Sequence, residues 1–202
     1  MVGSPTGQNE RVTREPVTRL NLTGQLLLAT PKLAEKTFYR TVILLLDHGD
    51  DGAMGVVLNR PLKVDVAAVL PSWQPHTTAP GVLFQGGPVE LDSALGLVAV
   101  PGDTGEPAGV RRISGGLGLV DLDVEPLSVV SELAGLRVFA GYAGWSLGQL
   151  ESEIREGAWY VVEGEARDPF SAEPEQLWRS VLRRQRGELA YVATYPDDPA
   201  HN

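Results

Sequence analysis

The sequence predicts an α+β protein built on one mixed sheet, and three observations lead there. Strand-length apolar runs recur along the whole chain; two pairs of them are joined by tight-turn residues, which makes hairpins; and others are separated by helix-length segments. Hairpins mixed with strand-helix-strand segments exclude a doubly wound sheet. With no internal repeat and no linker, a single domain over 20–196 is the simplest division, with tails over 1–19 and 197–202.

Residues up to about Arg19 mix Gly, Pro, Ser and charge without periodicity and are expected to be a disordered tail. Leu20 to Ala29 reads as the first strand, closed by Pro31. Thr41 to Asp47 is β-branched and apolar on both faces, as a buried central strand requires. Gly49-Asp50-Asp51-Gly52 turns the chain, and Ala53 to Asn59 returns beside it as a hairpin. Asn59-Arg60-Pro61 breaks that strand, because proline cannot continue a hydrogen-bonded ladder. Val64 to Leu70 then reads as a short helix stopped by Pro71. Gly81 to Gln85 is a strand running into Gly86-Gly87-Pro88, and Leu95 to Val100 is another, followed by a surface loop over Pro101 to Gly109.

Arg111 to Ser114 and Leu117 to Asp121 flank Gly115-Gly116, a second hairpin signal. Pro126 to Leu133 is a predicted helix. It leads into the stretch that organises the chain, Leu136 to Trp159, which begins with the apolar run Val138, Phe139, Ala140. Gly141 to Gly144 reads as a turn, and a helix follows. Ser146 and Gln149 have capping-box spacing, Trp145 and Leu150 stand at the positions of a hydrophobic staple, and Leu147, Leu150 and Ile154 share a face. Gly157 supplies a left-handed stop. Trp159 to Val162 is a strand. Pro174 opens a helix to Arg186 that turns Leu177, Trp178, Val181 and Leu182 inward, and Leu189 to Thr194 reads as the last strand.

Composition narrows the function. With no cysteine there is neither a disulfide nor a zinc-thiolate site, and His48 with scattered carboxylates does not make a metal centre; no cofactor is indicated. No apolar run reaches the roughly 18 residues of a membrane span, and the N-terminus lacks a secretory apolar core, so a cytoplasmic protein without membrane contact is expected. A net charge of −9 works against direct nucleic-acid binding. Arg179, Arg183, Arg184 and Arg186 form the one basic cluster, and late in a helix they complement its dipole.

Gly144-Trp145-Ser146-Leu147-Gly148 matches the nucleophile elbow G-x-S-x-G between a strand and a helix. The histidine of that order would have to be His201, one residue from the end; a different order could recruit His48 or His76, which nothing in the sequence places nearby, and a helix-capping role accounts for the serine. Glu151 and Glu153 resemble paired catalytic carboxylates but diverge by about 200° on a helix of 3.6 residues per turn. Glu151 could pair with Arg155, and structural roles are favoured for both. His48, at a strand end, also reads as structural.

Several separated stretches resemble the YqgE/AlgH family of bacterial proteins. They are Gly24 to Ala29, Phe38 to Val42, Asp47-His48, Gly52 to Pro61, Gly86 to Val89, Gly141 to Trp145, Gly148 to Ile154 and Trp159. The resemblance implies a strongly coiled, partly barrel-like sheet flanked by helices. It also implies a cytoplasmic bacterial protein of a family whose molecular activity is unsettled, some members being described as transcriptional regulators. In the family the position of Ser146 varies, and Asp47 stands where Glu is more common.

Three readings follow: a regulatory or binding protein with a glycine-lined cleft for a small anionic ligand or a protein partner, a transcription-linked protein that touches DNA, and an enzyme acting at the same cleft. The first is favoured, with no catalytic residue assigned. The expected cleft joins Gly86, Gly87 and Pro88 to Gly141, Tyr142 and Gly144. Arg40 and Asn59 stand at the open end of the first hairpin, and Trp145, Gln149, Glu151 and Glu153 on the helix side. If the strands before the two glycine segments run parallel, both segments emerge at one edge, and Arg40 with backbone N–H groups would select an anion or carboxylate. The alternative is that the glycines serve only to let backbones pack, with Trp145 and Tyr142 filling the space.

Overall fold

One long strand connects the two halves of the sheet in this computed structural model, which describes residues 21–33, 37–102, 105 and 107–195. Gly135–Trp145 is β9, and it bonds to three neighbours: β3 (Gly52–Val57), β5 (Val82–Gln85) and β6 (Val89–Ala99). On one side, β2 (Val42–Gly49), β1 (Gln25–Ala29) and β10 (Trp159–Glu163) extend the sheet from β3; on the other, β8 (Leu117–Val120) and β7 (Val110–Arg112) extend it from β6. β4 (Pro61–Asp65) pairs only with β5. Every pair is antiparallel except β5 with β9, where Phe84 faces Phe139 and Gln85 faces Ala140, so the sheet is mixed.

The sheet curls into a half-barrel. Gly24, just before β1, meets the hairpin at the far end of the sheet so closely that a Cβ there would lie 2.7 Å from Ser114 Cβ. Inside the curl, Leu26 and Leu28 of β1 and Val42, Leu44 and Leu46 of β2 pack with Phe84, Phe139 and the buried face of α2 (Leu177–Arg183). The alternate residues Leu27, Ala29, Ile43 and Leu45 face outward and are covered by Leu150 of α1 (Gln149–Arg155), Trp145 and Trp159. Burial on both faces explains why β1 and β2 are apolar throughout. A second outer cluster around Trp73, Val98, Val120 and Val138 is covered by short 3₁₀ turns.

Arg137 is the polar exception in the core, 1% exposed, with its guanidinium donating to the carbonyls of Pro169, Ala79 and Ser171 and lying over the Phe84 ring. Desolvation pulls its pKa down to about 10, so it remains a cation at neutral pH, with no carboxylate partner among the described residues. It ties the 168–171 turn to the sheet.

Several local expectations are corrected. Val64 to Leu70 is not a helix: β4 runs to Asp65 and a 3₁₀ turn of Val66–Ala68 follows, because Asp65 pairs with Val82. Pro61 breaks β3 as read and then starts β4, a first position where its missing N–H is tolerated. Pro126 to Leu133 holds two 3₁₀ turns instead of one helix. Leu189 to Thr194 is not a strand: its first four residues belong to α3 (Glu188–Val192), which packs Leu189 and Val192 on α2, and a turn follows. Gly141 to Gly144 is not a turn; β9 continues through it, kinked at Gly141 (φ 67°) opposite a bulge in β6 between Val89 and Ala94. The helix after it begins at Gln149, and Leu147 is 56% exposed instead of facing the core. Leu20 and both tails, 1–19 and 197–202, lie outside the described residues.

No helix among the described residues is long and apolar enough to cross a membrane.

Candidate functional site

The residues expected to share one cleft fall into three places. Gly86, Gly87, Pro88, Gly141 and Tyr142 meet where β5 leaves its parallel neighbour β9. The two glycine segments do come together there, in direct backbone contact. Gly86 N–H donates to Ala140 O at 2.8 Å and Gly86 O accepts from Val57 N–H at 2.8 Å. A Cβ on Gly86 would sit 2.2 Å from Gly141 O, and one on Gly87 would sit 2.1 Å from the Tyr142 carbonyl carbon. These glycines exist so that main chains can touch, and the space between them holds no guest.

Trp145, Gln149, Glu151 and Glu153 build a clasp that fixes α1 to the sheet, with Gly144 beside them in β9 opposite Met54. Glu153 Oε2 accepts the indole N–H of Trp145 at 2.9 Å and of Trp159 at 2.8 Å, and Oε1 accepts Gln149 Nε2–H at 3.0 Å. Gln149 and Glu153 are four residues apart and so share a face. The two indoles meet edge to face at 6.1 Å, and Phe38 stands edge-on to Trp159 at 5.8 Å. Glu151 points elsewhere, as its spacing from Glu153 requires, and its partner is His48 instead of Arg155. Buried His48 accepts Leu22 N–H on Nδ1 at 3.1 Å, and its Nε2 lies 3.4 Å from Glu151 Oε1, outside hydrogen-bond geometry. Half of the predicted capping box is present: Gln149 Oε1 accepts both Ser146 N–H and Ser146 Oγ–H at 3.1 Å. The N-cap itself is Gly148 in the left-handed region (φ 78°). Among the described residues Ser146 Oγ–H donates to the Gln149 amide oxygen and no histidine bonds to it; His201 lies outside the described residues.

Arg40 and Asn59 line an opening of about 420 Å³ between the end of the β2–β3 hairpin, the start of β4 and helix α2. Asn59 is buried and bridges the hairpin end: Oδ1 accepts Val42 N–H at 2.9 Å and Nδ2–H donates to Arg40 O at 2.9 Å. That bridge holds Arg40 at φ 53°, a left-handed conformation a non-glycine residue rarely adopts. The Arg40 guanidinium lies 4.8 Å over the Trp178 ring, 5.3 Å from the Tyr39 ring centre, and donates to Tyr195 O at 2.8 Å. Arg179 arrives from α2 and donates to Ala193 O at 2.7 Å and Tyr195 O at 3.2 Å. Arg60 donates to Tyr39 O at 2.6 Å, and desolvation by burial lowers its pKa from the usual value. It has no carboxylate partner among the described residues. Among the described residues, three guanidinium groups and one carboxylate, that of Glu175, line the opening.

Arg60, Gln85, Glu175, Trp178 and Arg179 were not expected here. Arg60 had a signal in its place beside Asn59 at the hairpin end. Arg179 had none, because its helix is brought to the hairpin only by tertiary packing. Of the helix arginines, Arg184 is engaged by Asp168 through two parallel bonds of 2.5 and 2.6 Å. Among the described residues no group of three or more His, Asp or Glu side chains could hold a metal ion.

A family model described as AlgH-like, DUF179, matches residues 26–190. A UPF0301 protein of Streptomyces coelicolor is 60% identical over 185 residues, covering 90% of this chain and 96% of that protein. Another from Thermobifida fusca is 50% identical over 193 residues, covering 91% and 97%. Among solved structures, protein DIP2367 of Corynebacterium diphtheriae superposes with a TM-score of 0.81 at 32% identity, covering 86% of this chain and 92% of that one. The AlgH protein of Pseudomonas aeruginosa superposes at 0.63 with 27% identity, covering 91% and 99%.

Proposed function

The chain belongs to the AlgH-like family, DUF179, and on that premise we propose that it is a regulatory or binding protein that holds a small anion in the opening lined by Arg40, Arg60 and Arg179. The observation that supports this reading is Arg60, a half-buried cation whose guanidinium bonds, among the described residues, to the Tyr39 carbonyl alone. Desolvating a guanidinium without a countercharge is costly, and an anion in the opening offsets that cost. Planar guanidinium forks match phosphate and carboxylate oxygens in pairs. A binding role suits the lining better than catalysis, since among the described residues no serine, cysteine or histidine lines it and no metal-holding cluster is present.

Isothermal titration of the protein with inorganic phosphate and with citrate tests the reading. Binding is expected for at least one of them, with Arg60→Ala weakening it about tenfold or more, the scale of one charge-assisted hydrogen bond. Urea unfolding of the variant should stay close to wild type. No binding of either anion at millimolar concentration rules the reading out.

A further inference from the structure

The opening is larger than an inorganic anion needs, and its walls differ in kind. At about 420 Å³ it lies in the range of small-molecule sites. An inorganic phosphate, comparable to about three waters of roughly 30 Å³ each, leaves most of it unfilled. The guanidinium groups of Arg40, Arg60 and Arg179 supply the cationic part of the lining, and Gln85, Glu175 and Gln176 add uncharged and acidic hydrogen-bonding groups beside Tyr39 and Asn59. Those three side chains make no hydrogen bond to another described residue, so their amides and carboxylate remain available to a guest.

The aromatic residues do not provide a shelf. Trp178 is 2% exposed, and the guanidinium of Arg40 covers its ring at 4.8 Å while also lying 5.3 Å from the ring centre of Tyr39. A nucleobase gains affinity by stacking on an exposed aromatic face, worth about 1–3 kcal/mol per base, and here the face is occupied. A polycarboxylate would bring a second negative group toward Glu175, with like-charge repulsion as the result. A body carrying hydroxyls meets neither obstacle, because a carboxylate accepts from hydroxyl donors and amides both donate and accept.

We propose that the occupant is a phosphorylated polyol, a sugar phosphate in chemical class, with its phosphate on the guanidinium groups and its hydroxyls on Glu175, Gln85 and Gln176. This rests on the anion-binding reading and adds the identity of the body attached to the anion. No bond is made or broken; the step is binding.

The test is a titration of the full chain, wild type and Glu175→Gln, with glucose 6-phosphate, inorganic phosphate, adenosine monophosphate and citrate. Glucose 6-phosphate is expected to bind at least tenfold more tightly than inorganic phosphate. Glu175→Gln is expected to remove most of that advantage and to leave inorganic phosphate bound no more weakly than before. Glu175 is exposed at the mouth of the opening, so the variant should keep the wild-type melting temperature. Equal affinity for glucose 6-phosphate and inorganic phosphate overturns the proposal while the anion-binding reading stands. So does adenosine monophosphate or citrate binding more tightly than the sugar phosphate. Failure of every anion to bind removes both.

Discussion

Asn59 is the residue on which the arginine opening depends without its needing to touch a ligand. Both ends of its amide are occupied, one by Val42 N–H and the other by Arg40 O, so the side chain splints residues 40–42 against the end of β3. A left-handed conformation costs a non-glycine residue about 1–2 kcal/mol, and Arg40 holds one at φ 53°. Asn59→Ala leaves Val42 N–H without its partner and lets the Arg40 backbone relax, which carries the guanidinium away from Trp178. The expected loss of stability is about 1–3 kcal/mol in urea unfolding. The expected loss of phosphate affinity is at least severalfold, measured by titration below the unfolding transition. A variant destabilised to that extent with undiminished phosphate affinity would show that Arg40 needs no splint. The sequence placed Asn59 and Arg40 side by side at the hairpin end, because pairing of two adjacent strands is a local matter. That Asn59 is a support for Arg40 follows only from its two bonds.

Helix α1 carries the most distinctive sequence pattern in the chain and is held as a clasp. Glu153 receives two indole N–H groups and an amide N–H, and the tryptophans come from β9 and β10, so one carboxylate joins three elements. Glu153→Ala leaves both indole donors without their acceptor beneath the helix, at about 1–3 kcal/mol for each buried group. The expected result is a loss of roughly 2–4 kcal/mol in urea unfolding with a shift in tryptophan emission, and unchanged phosphate binding at the arginine opening, whose lining does not include Glu153. A loss of phosphate binding in a folded Glu153→Ala protein would place the clasp in the site. The helix itself was readable from its apolar spacing and its Gly157 stop, which has φ 78° as expected of a left-handed end. Its first turn was misread because Gly141 and Gly144 look like a turn in isolation. Pairing to β6 before them and β3 after them keeps the strand going. The same competition hid β4 and α3: windows of five to seven residues cannot separate a short strand from a short helix, and the neighbour available to pair or pack decides.

At the scale of the molecule, the strands, the mixed sheet and the buried β2–β3 pair were readable because burial on two faces leaves its mark in composition. The cleft was less so. Its expected residues divide among a backbone crossing, a clasp and an opening, and the arginines of that opening come from positions 40, 60 and 179, brought together only when α2 packs against the curled sheet. That distribution also bears on nucleic acid. The chain carries a net charge of −9, and several of its arginines are engaged within the fold. Arg137 is buried on carbonyls, Arg184 is forked to Asp168, Arg112 reaches the carbonyls of Gly102 and Gly105, and Arg40 and Arg179 converge on Tyr195 O. A duplex needs a row of cations that it can track along its phosphates, releasing counterions at each contact. A group of three guanidiniums beside a carboxylate suits one small anion and is not itself such a row. Fluorescence anisotropy with a labelled random duplex is therefore expected to show no saturable binding up to about 10 µM protein at about 150 mM salt, weaker than much non-specific DNA binding. Micromolar binding that falls steeply with added salt would mean that the surface offers the duplex a cationic track after all.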